Sequence, residues 1–205
     1  MNLYNKSYLV LISFLFYFQI IWKNRLKNDR GKTCKVTVDT TDCPVQEPKG
    51  TGETRSGKWL PFNPKWYSHK FKGAGLRYEL AVSIQMGDIV WLNGPYPCGE
   101  FNDIKIFKHK LQKKLLPNEK VEADGIYRGA DGARSKGDFC SKSDLRAKAR
   151  ARSRHETING RLKSWACLRE VWRHPLEKHK IVFAAVVVIT QITFNVGEGP
   201  FQCFY

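Results

Sequence analysis

The sequence predicts an α/β domain, and three observations carry that prediction. Stretches rich in β-branched residues (34–38, 78–92 and 121–124) alternate along the chain with helical signals at 103–115, 156–168 and 177–195. Hydrophobic residues make up 42% and aromatic residues 13% of the 205, enough to bury the core of one ordinary domain, which excludes wholesale disorder. No internal repeat or long low-complexity segment interrupts the pattern.

Taken in order, Tyr8–Trp22 is apolar except for Ser13 and Gln19, and the basic Lys23, Arg25 and Lys27 follow it. It is shorter than the ~20 residues that span a bilayer and no small-x-small cleavage site follows, so membrane anchoring through 8–22 is disfavoured. An apolar helix packed on the domain, or a non-native fusion, is the alternative for 1–23, with the domain proper at 24–205. Cys34-Lys35-Val36-Thr37-Val38 reads as a strand whose carboxyl end presents Asp39 and Asp42. The Gly/Pro/Lys-rich 44–64 reads as a long loop. Tyr78–Gln85 and Ile89–Leu92 flank Met86-Gly87-Asp88, a hairpin signal. In 103–115, Ile104, Phe107, Leu111 and Leu115 recur at spacings of three and four, which marks an amphipathic helix. Val121–Asp124 is a short strand ending in another carboxylate, and the glycine-rich 125–137 is a loop. Beyond Glu156 the spacing of Leu162, Trp165, Cys167 and Leu168 predicts a helix. The apolar run in 177–195 is long for a buried strand and is read as a buried helix.

Charge narrows the function. Lys+Arg 35 against Asp+Glu 19 gives a net charge of +16. Stability does not call for that excess, which favours a polyanionic partner such as nucleic acid or an anionic membrane and disfavours a cytosolic metabolic enzyme. The excess is concentrated in 134–163, where ten Lys/Arg face three acidic residues, Asp138, Asp144 and Glu156. The six cysteines (Cys34, Cys43, Cys98, Cys140, Cys167, Cys203) form no C-x-x-C pair, so reduced, partly buried thiols are expected rather than a structural zinc.

Three carboxylates stand out by setting: Asp39 and Asp124 at strand ends and Glu156 inside a basic helix. In that order they match hard oxygen donors converging on Mg²⁺ or Mn²⁺; two such ions ~4 Å apart suit phosphodiester cleavage. The motifs around and between them are Lys35-Val-Thr-Val-Asp39-Thr-Thr-Asp42, Lys65-Trp-Tyr-Ser-His-Lys-Phe-Lys-Gly-Ala-Gly-Leu-Arg-Tyr-Glu79, Gly87-Asp-Ile-Val-Trp-Leu-Asn-Gly-Pro95, Pro97-Cys-Gly-Glu-Phe-Asn-Asp-Ile-Lys-Ile-Phe107, Val121-Glu-Ala-Asp124-Gly-Ile-Tyr127, Arg154-His-Glu156-Thr-Ile-Asn159-Gly-Arg-Leu-Lys163-Ser-Trp165, and the terminal Ile189-Thr-Gln191 and Gly197-Glu198. From about Ile21 onward the chain resembles, on these motifs, the catalytic domain of PIF/Harbinger-type DDE transposases, over roughly nine-tenths of its length.

The resemblance implies a ribonuclease H-like mixed sheet flanked by helices, with Asp39, Asp124 and Glu156 as catalytic and metal-binding residues and two Mg²⁺ or Mn²⁺ ions as cofactor. Arg152, Glu156 and Lys163 also resemble an R-x3-E-x6-K signature of related transposases, with Ala149 in place of its preceding tyrosine. Glu156, Asn159 and Lys163 share a helix face, so Lys163 is expected to contact phosphate, as is Arg152 one turn earlier, and His155 is at best a DNA-backbone contact. Lys70 belongs with Tyr67, His69 and Lys72 to a basic aromatic strip suited to flanking or single-stranded DNA, or else to a solvated strand edge. DNA is the implied partner and the nucleus the implied location.

The sequence departs from the family pattern in three ways. Thr40 replaces the glycine after the first aspartate. The glycine after Asp124 is displaced, and Ile126 is expected to strain the turn. No helix-turn-helix module precedes the domain, so the chain reads as a truncated copy that takes a separate DNA-binding protein, or a second copy of itself, as further partner. A catalytically inactive remnant acting as a basic, non-specific DNA-binding module is the alternative. Asp42 is read mainly as a turn former, Asp103 either as the match to an aspartate that lies between the family's first two catalytic positions or as the cap of the helix that begins there, and Trp91, Trp165 and Trp172 as core anchors.

Overall fold

The computed structural model describes residues 19–29, 31–48, 63–135 and 141–201. Most of the apolar segment at 8–22, much of the loop at 44–64, and Cys140 and Cys203 lie outside the described residues. Six strands form one mixed sheet: β1 (Cys34–Pro44), β2 (Tyr67–Ser68), β3 (Gly73–Ser83), β4 (Ile89–Pro97), β5 (Lys120–Glu122) and β6 (Ala133–Arg134). The helices are α1 (Asp103–His109), α2 (Lys142–Lys163), α3 (Ala166–Arg169) and α4 (Leu176–Thr193).

The order β2-β3-β1-β5-β6 places β1 at the centre, with β4 also pairing with β3. β1 runs antiparallel to β3 from Val36↔Ser83 to Pro44↔Gly75. It runs parallel to β5, with Thr37 opposite Glu122, and β5 runs parallel to β6. The predicted hairpin forms between β3 and β4, and Gly87 supplies its positive φ of 82°.

Alternation along β1 feeds two cores. Val36 and Val38, with Val121 and Ala81, bury against Phe107 and Leu111 on the α1 side. Cys43, with Leu76, Tyr78, Leu80 and Val82, buries against Ile158 and Leu162 of α2 and Phe183, Val186 and Val187 of α4. Tyr78 and Phe183 stack with their ring centroids 3.7 Å apart. Ile20 joins this second core, and Trp22 meets Trp91 edge-on at 5.8 Å. Gln19 also accepts a hydrogen bond from Asn195, so the described end of the apolar segment packs on the domain.

Several elements differ from the sequence-based expectation. The first strand continues five residues past Asp39, because Asp42 is not a turn former: it pairs across the sheet with Arg77. The helix at 103 is capped by Asn102, whose side chain accepts from Lys105 N, and it ends at His109, leaving Leu111 and Leu115 to pack from the following turns. The basic helix begins earlier than its apolar spacing indicates, at a Ser141 cap that accepts from Asp144 N. It stops at Lys163, so Trp165 lies beyond it and is exposed rather than a core anchor. The 177–195 run is a helix, as its length predicts. Its stretch Leu176–Gly197 is long and apolar enough to cross a membrane by composition, and in this fold Phe183, Val186, Val187 and Val188 face the core.

Candidate functional site

The site begins with strand register. Thr37 lies opposite Glu122 on the parallel pair β1–β5, so Asp39 and Asp124 come two residues later on each strand path and on the same face. β5 has ended by then, and Asp124 opens the 3-10 turn Gly125–Tyr127, its Oδ1 accepting from Ile126 N at 2.8 Å. Ile126 has no positive φ, so the strain expected in this turn is absent: a right-handed turn accommodates a β-branched residue, and the Asp124 carboxylate caps it.

Helix α2 crosses this face and touches β1 at intervals of four residues, one helical stripe against alternate strand positions. His155 Nδ1 lies 2.9 Å from Thr37 Oγ1, Asn159 Nδ2 donates to Asp39 Oδ2 at 3.4 Å, and Lys163 Nζ donates to the Asp42 carbonyl. This stripe brings Glu156 to the aspartates. Asp39, Asp124 and Glu156 line one small cavity of about 10 Å³, the volume of a single water-sized sphere. An adjoining cleft of about 470 Å³ is lined by the same three residues together with Asp42, Lys70, Phe71, Asp103, Ile126, Arg152, Asn159 and Lys163. Residues far apart in sequence, from Asp39 to Lys163, thus share one concavity at the carboxyl end of β1.

Electrostatics follow from burial and neighbours. Burial pushes the Asp39 carboxyl above its ordinary value, and the nearby Asp103 and Asp124 push it further, against the opposing pull of the Thr40 N–H and Lys70. The Thr40 N–H donates to Asp39 Oδ1 at 2.7 Å. Burial also pushes Asp42 up, but Arg77, Lys70 and Ser68 together outweigh it and hold its carboxyl below the usual range. Arg77 binds Asp42 through Nε at 2.7 Å and Nη2 at 2.9 Å, and its Nη1 lies 2.9 Å from Asp103 Oδ1. Thr40 Oγ1 donates to that same Asp103 oxygen at 2.7 Å. Asp103 is therefore a buried partner of Arg77 and Thr40 beneath the cleft rather than a helix cap.

Of the residues expected to contact phosphate, Arg152 and Lys70 are exposed at the cleft. Asn159 and Lys163 are half-buried, Asn159 bonded to Asp39 and Lys163 clasping β1 to α2 through the Asp42 carbonyl. His155 is a correction: it is 2% exposed, and burial depresses its pKa to about 4, so it is a neutral packing residue under the helix and reaches no phosphate. Lys148 and Arg154 of the basic run are also internal. Lys148 lies 3.3 Å from the buried Glu122, and Arg154 donates to the Ser83 and Ile84 carbonyls.

Sequence reasoning missed Arg77 and Phe71. Arg77 carried no local signal, since only the β1–β3 register sets it opposite Asp42. Phe71 stood in plain sight between Lys70 and Lys72 in the basic aromatic strip.

The donors around the cavity are hard oxygens of the type that bind Mg²⁺ or Mn²⁺. Asn159 Oδ1 adds a buried acceptor with no hydrogen-bond partner, next to Asp39. Among the described residues, no three His, Cys, Asp or Glu side chains are drawn together closely enough to hold a metal ion as they stand. Burial is the main cause that raises the Asp39 pKa, and the neighbouring Asp103 and Asp124 add to it. The oxygens that line this cavity are thus of the chemical type that suits a divalent ion, although they are not grouped as its ligands. No family model, no curated protein and no solved structure matches this chain.

Proposed function

We propose that the chain is a DDE-type, metal-dependent DNA endonuclease domain of the PIF/Harbinger transposase kind, with a ribonuclease H-like fold. The observation that carries this reading is that Asp39 and Asp124 each follow by two residues the Thr37–Glu122 pairing of the parallel strands β1 and β5, with Glu156 brought from a helix to the same cavity. The strand order supports it: with the two-residue β2 set aside, the sheet runs β4-β3-β1-β5-β6, with β1 antiparallel to β3 and parallel to β5.

In this reading Asp39, Asp124 and Glu156 would hold Mg²⁺ or Mn²⁺, and the partnerless Asn159 Oδ1 offers a further oxygen. Bound there, such ions would supply activation of the attacking water and stabilisation of the leaving 3′ oxygen of a phosphodiester. The protein's own part is positioning. The Thr40 N–H and Asn159 Nδ2 fix the two oxygens of Asp39. Arg152 and Lys70 place cations at the cleft for the DNA phosphates. The net charge of +16 favours binding of DNA phosphates, and in this reading the protein would act in the nucleus.

Titration of the full chain with Mn²⁺ by calorimetry, wild type beside Asp124→Asn, tests the proposal. Saturable binding that is lost in the variant, together with loss of Mn²⁺-dependent plasmid nicking and retention of salt-sensitive DNA binding, is the expected result. A folded wild type that binds no Mn²⁺ rejects it. The second reading, an inactive remnant that binds DNA through charge alone, is favoured by one observation: the three carboxylates line the cavity without being grouped as metal ligands among the described residues.

A further inference from the structure

The cleft holds two side chains that the phosphodiester chemistry does not use. Among otherwise charged and polar walls stand Phe71, 36% exposed, and Ile126, 58% exposed. They come from different parts of the chain: Phe71 from the turn between β2 and β3, Ile126 from the turn after β5. β3 and β5 flank β1 on opposite sides, so the two apolar groups approach the carboxylates from opposite sides of the central strand.

The position of Phe71 is built in. Its ring lies over Gly75 of β3, where a Cβ would stand 2.5 Å from Phe71 Cζ and 3.0 Å from Cys98 Sγ, so only glycine leaves room for it. The chain turns back into β3 through Lys72, a non-glycine residue at a φ of 54°. Next to the ring, Lys70 supplies a cation that reaches the Thr40 carbonyl at 3.2 Å. An aromatic face beside a cation, at the rim of a cleft lined by carboxylates and Arg152, suits a ligand that carries both a flat apolar ring and a phosphate. Single exposed apolar residues need no explanation. Here two from separate segments line one charged concavity.

We propose that Phe71 and Ile126 clamp an unpaired nucleobase beside the phosphate bound in the cleft, so that the site takes single-stranded or locally opened DNA in preference to intact duplex. The inference rests on the reading of this cleft as a DNA site. A base inside a duplex is stacked on its neighbours and offers no free face, whereas an unpaired base stacks on Phe71 and meets Ile126 from the other side. Phosphate contacts at Lys70 and Arg152 are indifferent to this choice and set the salt dependence.

The test compares the full chain's affinity, by fluorescence anisotropy without metal, for an oligothymidylate of about 20 nucleotides, for an abasic strand with the same number of phosphates, and for a duplex of equal length. Wild type is expected to favour the oligothymidylate over the abasic strand by roughly tenfold, the size of one aromatic stack. Phe71→Leu keeps apolar packing over Gly75 but removes the ring face. It should abolish that preference while leaving duplex affinity and salt slope unchanged, and Phe71→Trp should retain it. Equal binding of oligothymidylate and abasic strand by wild type, or an unchanged preference in a Phe71→Leu variant of normal thermal stability, overturns the clamp and leaves the DNA site standing. Absence of salt-sensitive binding to all three overturns both.

Discussion

Replacing Glu79 by Gln should change how the stability of this protein depends on pH. Glu79 sits on β3 opposite Thr40 and is fully buried. Its Oε2 accepts from Trp91 Nε1 at 2.9 Å and from Asn93 Nδ2 at 3.4 Å, and its Oε1 has no partner. Burial raises its pKa from an ordinary 4.5 to about 7, the two donors opposing and Asp103 adding to the rise. The folded protein therefore keeps this proton more tightly than the unfolded chain. The stabilising contribution is complete below pH 4.5, declines as pH rises, and is gone above about pH 7. Integrating between those values, Glu79 lowers the unfolding free energy by about 2.5 kcal/mol from pH 5 to pH 8. An amide at this position does not titrate, so urea unfolding of wild type and Glu79→Gln at pH 5 and pH 8 isolates this amount as the difference between their pH responses. The comparison cancels whatever the amide costs at both pH values. Parallel pH profiles for the two proteins would refute the assignment of a proton to this buried carboxyl near neutral pH.

Two further outcomes follow from the charged groups around the cleft. Arg77→Met leaves the buried carboxylates of Asp42 and Asp103 without their cation and should cost about 3–5 kcal/mol in chemical denaturation; adding Asp42→Asn and Asp103→Asn to the same chain should recover much of that loss. His155 acts in the opposite pH direction to Glu79. Its folded pKa of about 4 lies below the ordinary 6.5, so the unfolded chain takes up the proton first and stability falls as pH drops through that interval. His155→Gln should remove about 2 kcal/mol of the loss between pH 7 and pH 5, read from thermal or urea melts at the two pH values. An unchanged acid limb in that variant would show that the ring titrates freely.

Glu79 lies on the α1 side of the sheet and His155 on the α2 side, one on each face. Both groups are buried because β1 lies at the centre of the sheet with helices on each side. The same centrality exposes the carboxyl end of β1 where β5 stops short. A long central strand beside a short parallel neighbour thus generates the cleft, and α2 roofs it with Arg152, Glu156 and Asn159.

Local chemistry alone determined much of this protein. β-Branched runs marked the strands, Gly87 marked the hairpin, length marked the buried helix at 177–195, and the order Asp39, Asp124, Glu156 marked the residues that meet at one cavity. The strands, the hairpin and the helix rest on preferences that act within a few residues, whereas the three carboxylates stand far apart in the chain and are marked by their order and by the resemblance. Tertiary structure decided which polar groups belong to the interior. Asp42 extends a strand instead of making a turn because Arg77, 35 positions away, arrives opposite it once β1 and β3 are in register. In the sequence Lys148 and Arg154 count toward the basic excess and His155 as a DNA-backbone contact at best, yet they are buried because Glu122, the Ser83 and Ile84 carbonyls and Thr37 supply partners from other elements. A polar side chain can be buried only where a partner offsets its lost hydration. Partners that lie 26 to 118 positions away exist only after the chain has folded.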